Sequence, residues 1–117
     1  MKKLLITLLF SSSFLTADIY EDIAISNQLL AAAEYGAKTS WTVSELENIE
    51  NLVERFSDKD LKAVWYGNLI LYALTGNGFG NTPSSGHCRI AKNSIPKLGD
   101  DDLISLWEMN YSLYGCR

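Results

Sequence analysis

From Leu61 to Leu74 the chain reads LKAVWYGNLILYAL, and its apolar positions do not keep to one stripe. Leu61, Val64, Trp65, Leu69 and Tyr72 fall on one side of a helix, and Tyr66, Ile70, Ala73 and Leu74 on the other. A helix that is apolar nearly all round has to be surrounded, by lipid or by other helices. These residues rise about 21 Å as a helix, short of the roughly 20 residues that a membrane span needs. The pattern therefore predicts the central helix of a small all-α domain.

The flanking segments predict helices of their own. Over Asp18–Tyr35, Ile19, Ile23, Leu30 and Ala33 recur at helical spacing, Ala24 and Leu29 widen the stripe, and Gly36 stands where a C-terminal cap belongs. Thr42-Val-Ser-Glu45 is a capping box, with Trp41 and Leu46 placed as a hydrophobic staple. The helix it opens runs to about Phe56, with Leu46, Ile49, Leu52, Val53 and Phe56 on its apolar side. Ser57-Asp-Lys-Asp60 opens the central helix and Gly76 ends it; Gly67 inside it suggests a close crossing with another helix. A last helix over Asp101–Tyr114 presents Leu103, Leu106, Trp107, Leu113 and Tyr114, with Ile104 and Tyr111 on a second side. The expected fold is a small bundle of four main helices around the central apolar one.

Between the last two of these helices the pattern breaks. Thr75–His87 reads TGNGFGNTPSSGH, and four glycines and a proline argue against regular structure. Irregular stretches of this length are unusual in so small a domain, and such loops are either functional or mobile. Cys88–Lys97 predicts a short helix that stops before Pro96.

The N-terminus stands apart from the domain. Lys2 and Lys3, the apolar run Leu4–Phe10 and the small-residue stretch Ser11–Ala17 form the layout of a secretory signal peptide. Residues 1–17 are expected to be removed, with cleavage after Ser13 as the alternative, leaving residues 18–117 as a single helical domain. The address this implies is the periplasm or the exterior.

Charge narrows the partners. The full chain has a formal net charge of −4. Removing Lys2 and Lys3 leaves eight cations against fourteen carboxylates, a net of −6. Such a surface repels phosphate backbones and anionic headgroups, so nucleic acid and membrane are disfavoured and a basic protein partner is favoured. Two cysteines in an exported chain predict one intramolecular bridge, Cys88–Cys116.

Little in the chain resembles a reaction centre. The single histidine, His87, adjoins Cys88, but a bridged sulfur is no nucleophile, and one His with two Cys lacks the spacing of a zinc site. Asp100, Asp101 and Asp102 suit a helix N-terminus rather than a calcium loop, whose ligands alternate. The glycines at 76–80 lack the Gly-Lys-Ser/Thr ending of a phosphate loop. No catalytic, cofactor-binding or metal-binding residue is assigned, and no cofactor is expected.

Binding offers better candidates. Phe79 stands alone in the glycine-rich loop between Asn77 and Asn81, where an aromatic has no core reason to be and suits an anchor for a partner. Glu47, Glu50 and Glu54 line the polar side of the second helix and suit a basic partner. Glu108-Met-Asn110-Tyr-Ser112 is similar to the extended acceptor sequon of bacterial N-glycosylation.

In size, charge, export and helical content the chain resembles the immunity proteins that bacteria hold in the periplasm against delivered toxins, and also small periplasmic stress chaperones. The expected function is a non-enzymatic protein-binding module, such as an inhibitor or immunity factor. The alternatives are a binder of a small hydrophobic ligand among Trp65, Tyr66, Tyr72 and Trp107, or a hydrolase built on a carboxylate pair.

Overall fold

The caps written into the sequence set where the helices start. In the computed structural model, the residues described are 12–35, 40–78 and 80–117, with side chains of the first helix described from Asp18 to Ala33. They form helices α1 (Ser12–Tyr35), α2 (Val43–Glu54), α3 (Lys59–Thr75), α4 (Ser85–Ser94) and α5 (Asp101–Leu113), with a 3-10 turn at Ile95–Leu98. No strand occurs among the described residues. No described helix is long and apolar enough to cross a membrane.

The Thr42 box closes as expected. Thr42 Oγ1 accepts from Glu45 N at 3.1 Å and Glu45 Oε1 accepts from Thr42 N at 2.8 Å. The α5 start also falls at Asp101 as expected, and the α3 start differs by a residue. Asp58 rather than Ser57 caps α3, accepting from Asp60 N and Leu61 N, and Asp100 caps α5 by accepting from Leu103 N. A carboxylate one residue further along satisfies the same orphan amides and complements the helix dipole as well.

The core is built on α3. Trp65, Tyr66, Leu69, Ile70, Ala73 and Leu74 are buried there, and α3 packs against α2, α4 and the 3-10 turn. Leu46, Ile49, Val53 and Phe56 meet them from the α2 side, and Ile90, Ala91, Ile95 and Leu98 from the other. A cluster of this kind supplies most of a small domain's stability through apolar area removed from water.

Three expectations are corrected by the packing. On α1 the inward residues are Ile25 and Leu29, with Asp22 beside them, while Ile19, Ile23 and Leu30 stay exposed. Asp22 fixes that rotation, because its carboxylate accepts from Ser57 N at 2.8 Å and from Asp58 N at 3.1 Å. On α5 the half-buried side is Ile104, Trp107 and Tyr111, and Leu103, Leu106, Leu113 and Tyr114 are exposed. At Gly67 an added Cβ meets only Leu98 Cδ2, at 3.8 Å, so no close helix crossing demands glycine there. The tight approach is at Gly86, where a Cβ lies 2.8 Å from Val43 Cγ2, and it brings the start of α4 against the start of α2.

Asp22 gives a direct test of how α1 is held. Asp22→Ala leaves two backbone amides without their charged acceptor and is expected to cost about 1–3 kcal/mol, read as a lower urea midpoint. An unchanged midpoint would show that α1 is held by its apolar contacts alone.

The irregular stretch is shorter than the sequence suggests. Ser84 Oγ accepts from His87 N, so Ser85, Gly86 and His87 already form the first turn of α4. What remains between α3 and α4 is cross-tied: Asn77 Nδ2 donates to Thr82 O, Asn81 Nδ2 to Asn77 O, and Asn81 N to Gly78 O. Gly78 and Gly80 take φ of 99° and 83°, the left-handed region that glycine enters without strain. The predicted cap Gly36 lies outside the described residues, and the predicted cleavage point after Ala17 falls within the span of α1.

Candidate functional site

The carboxylate row on α2 does not stand free. Arg89 of α4 reaches Glu47 at 3.2 Å and Lys97 of the 3-10 turn reaches Glu54 at 3.2 Å. Lys97 Nζ also lies 5.2 Å from the centre of the Tyr66 ring. Glu50, half-buried between them, makes no ion pair among the described residues. Two of the three acids are thus opposed by cations of the same chain, which shortens the reach of their field.

The electrostatics of this cluster have a defined sense. Burial pulls the Lys97 ammonium down, but the hydrogen bond to Glu54 and the neighbouring Tyr66 and Glu50 charges outweigh it and leave it raised. Burial raises the Glu50 carboxyl, and Glu54 adds to this against the opposing pull of Lys97 and Arg89. A carboxyl raised on folding contributes stability in acid, and that contribution is lost as pH rises through its folded value. Glu50→Gln is therefore expected to raise the thermal midpoint at pH 7, with the gain vanishing below about pH 4, where the carboxyl is protonated in both states. A gain that persisted at low pH would trace to packing instead.

His87 is buried and fully partnered. Its Nε2 lies 2.7 Å from Trp41 O, which can only accept, so Nε2 carries the proton and donates. Nδ1 then accepts from the Ser84 hydroxyl at 2.5 Å. A serine donating to an imidazole is the start of a nucleophilic pair. Ser84 Oγ is occupied as the α4 cap, however, and lines none of the four clefts described for this surface. The pair holds the chain ahead of α2 against α4. The serine three residues before the histidine is the sequence signal for this pairing.

The loop candidates separate. Asn77 and Asn81 use their side-chain amides to tie the loop to itself. Phe79 lies outside the described residues. Cys88 and Cys116 are bonded, with Cα atoms 5.6 Å apart and Cys116 buried. Asn110, in the glycosylation-like pattern, sits half-buried within α5.

The aromatics named for a ligand pocket are otherwise engaged. Trp65 and Tyr66 are core residues, Tyr72 stacks on Trp41 with ring centres 4.5 Å apart, and Trp107 packs half-buried against the core. None of the four lines a cleft among the four described for this surface, and none of those four holds two carboxylate side chains. No group of three or more His, Cys, Asp or Glu is placed to hold a metal among the described residues.

What the structure adds is an apolar surface. No residue of α5 is fully buried, and Leu103, Leu106, Met109 and Leu113 are exposed, Leu113 to 75%. Leu61, Val64 and Leu71 of α3 are exposed as well. The C-terminal ends of α3 and α5 meet at a cleft of about 410 Å³ lined by Leu74, Thr75, Leu113, Tyr114 and the loop residues Gly78 to Thr82 that are described. Sequence reasoning assigned the α5 leucines to the core, and so missed them as a surface. Comparison with protein-family models, with characterised proteins and with solved structures finds no match to this chain.

Proposed function

We propose that the chain is an exported, non-enzymatic protein-binding module of the inhibitor or immunity type, acting in the periplasm or outside the cell. Its scaffold in this reading is the bundle of four main helices, α1, α2, α3 and α5, arranged about α3 after residues 1–17 have been removed. The observation that carries the reading is the exposed apolar side of α5. Leu106, Met109 and Leu113 are exposed on one side of α5, and apolar side chains grouped on a surface mark binding sites more often than singly scattered ones do. A small ligand prefers a concave site that buries most of its surface, whereas a convex helix face suits another protein. The Cys88–Cys116 bridge is compatible with an oxidising compartment.

The test compares native purification of the wild type with that of a Leu106→Asp, Met109→Asp double variant whose far-ultraviolet circular dichroism is unchanged. The wild type is expected to bring down a stoichiometric protein that the variant loses. Retention of only a small molecule by both would remove the reading.

A further inference from the structure

We infer that the partner seats a basic amphipathic segment, apolar on one side with Lys or Arg beside it, along α5 and into the cleft between the ends of α5 and α3. This rests on reading the chain as a protein-binding module.

The two apolar stripes lead to one place. On α5, Leu106, Met109 and Leu113 follow at spacings of three and four, so they share a side, and Leu113 lines the cleft. On α3, Leu71 and Thr75 are four apart and also share a side, and Thr75 lines the same cleft. Leu71, Leu106, Met109 and Leu113 are all exposed. A partner side chain placed in the cleft between Thr75 and Leu113 would be flanked on both sides, and its neighbours would lie along α5.

Charge selects the partner. α5 carries Asp101, Asp102 and Glu108 and no Lys or Arg. Asp102 lies four residues before Leu106 and shares the apolar side; Asp101 and Glu108 share the adjacent one. None of the three pairs with a cation among the described residues. This differs from α2, whose Glu47 and Glu54 are matched within the chain. The apolar face whose acids enter no ion pair among the described residues is thus an acidic-rimmed one, and complementarity calls for cations on what covers it. A second copy would bring the same acidic rim and a like net charge, and an anionic membrane would be repelled.

The test places the photo-crosslinker p-benzoylphenylalanine at Leu106, at Leu113 and, on the carboxylate side of α2, at Asn51, in the full chain expressed in its own cell. All three side chains are exposed. The first two positions are expected to capture a protein whose crosslinked segment, mapped by mass spectrometry, is amphipathic and basic, while Asn51 captures none. That segment made as a peptide should bind the wild type about fivefold more tightly than an Asp101→Asn, Asp102→Asn, Glu108→Gln variant at low salt, with the gap closing at high salt. An acidic or uncharged segment, a second copy, lipid or residues 4–10 of the same chain at Leu106 and Leu113 would overturn the inference. Capture at Asn51 alone would overturn it while leaving the binding-module reading in place. No captured protein at any position would count against that reading itself.

Discussion

Reducing the Cys88–Cys116 bridge is expected to lower the free energy of unfolding by about 3–4 kcal/mol, the chain-entropy value for a loop closed across 28 residues. For a domain of this size that corresponds to a fall in the thermal midpoint on the order of 15 °C. The effect should be near the full value because little else fastens α5. Its inward side chains, Ile104, Trp107 and Tyr111, are only half-buried, and its main neighbours are α4 and the 3-10 turn. Cys116, by contrast, is buried, with its amide donating to Tyr111 O at 3.0 Å. Melting curves with and without dithiothreitol, and of Cys88→Ser, make the measurement. A midpoint that does not move under either change would mean that α5 is held by its packing after all.

The second large effect belongs to α3, and it is a contrast. Leu69 is 0% exposed at the centre of the core, and Leu69→Ala is expected to cost about 2–5 kcal/mol through lost transfer energy and the cavity left behind. Val64, five residues earlier, is 60% exposed, and Val64→Ala is expected to change stability by less than about 0.5 kcal/mol. Five residues turn a helix by about 140°, so the two side chains leave α3 in different directions and the pair asks which side of it faces the core. Urea unfolding of the two variants answers it, and comparable losses would mean that Val64 is covered.

That contrast also marks what could be read from the chain and what could not. Helix starts were legible because caps are local: Thr42 and Glu45 are three residues apart and bond each other. The all-helical class and the bridge were legible for similar reasons, since periodicity and an even cysteine count need no tertiary information. The direction each helix faces was not. α1 offers two apolar stripes, and the one chosen depends on Asp22 reaching the amides of Ser57 and Asp58 across 35 and 36 residues. α5 likewise offers two, and the bond from Cys116 back to Tyr111, with the bridge to Cys88, turns the Tyr111 side inward.

For the candidate site the same limit applied. The acids of α2 read as a free row because Arg89 and Lys97, which meet two of them, lie 42 and 43 residues away. The leucines of α5 read as core because hydrophobicity alone does not say which of two apolar sides is left outside. Asn77 and Asn81 read as contact residues, and the fold spends their side-chain amides on short-range turn bonds.

The residue ahead of α2 has a consequence for how the molecule opens. Trp41 belongs to no helix, yet its N–H donates to Gly76 O at 2.8 Å at the end of α3, and its carbonyl accepts from His87 in α4. A backbone amide in an irregular stretch ordinarily trades its hydrogen with water through small local fluctuations. This one is released only if residue 41 leaves α3, and doing so strips a buried imidazole of its acceptor. Its exchange rate should therefore match those of core amides such as Ile70, and residue 41 comes free with the whole domain rather than before it.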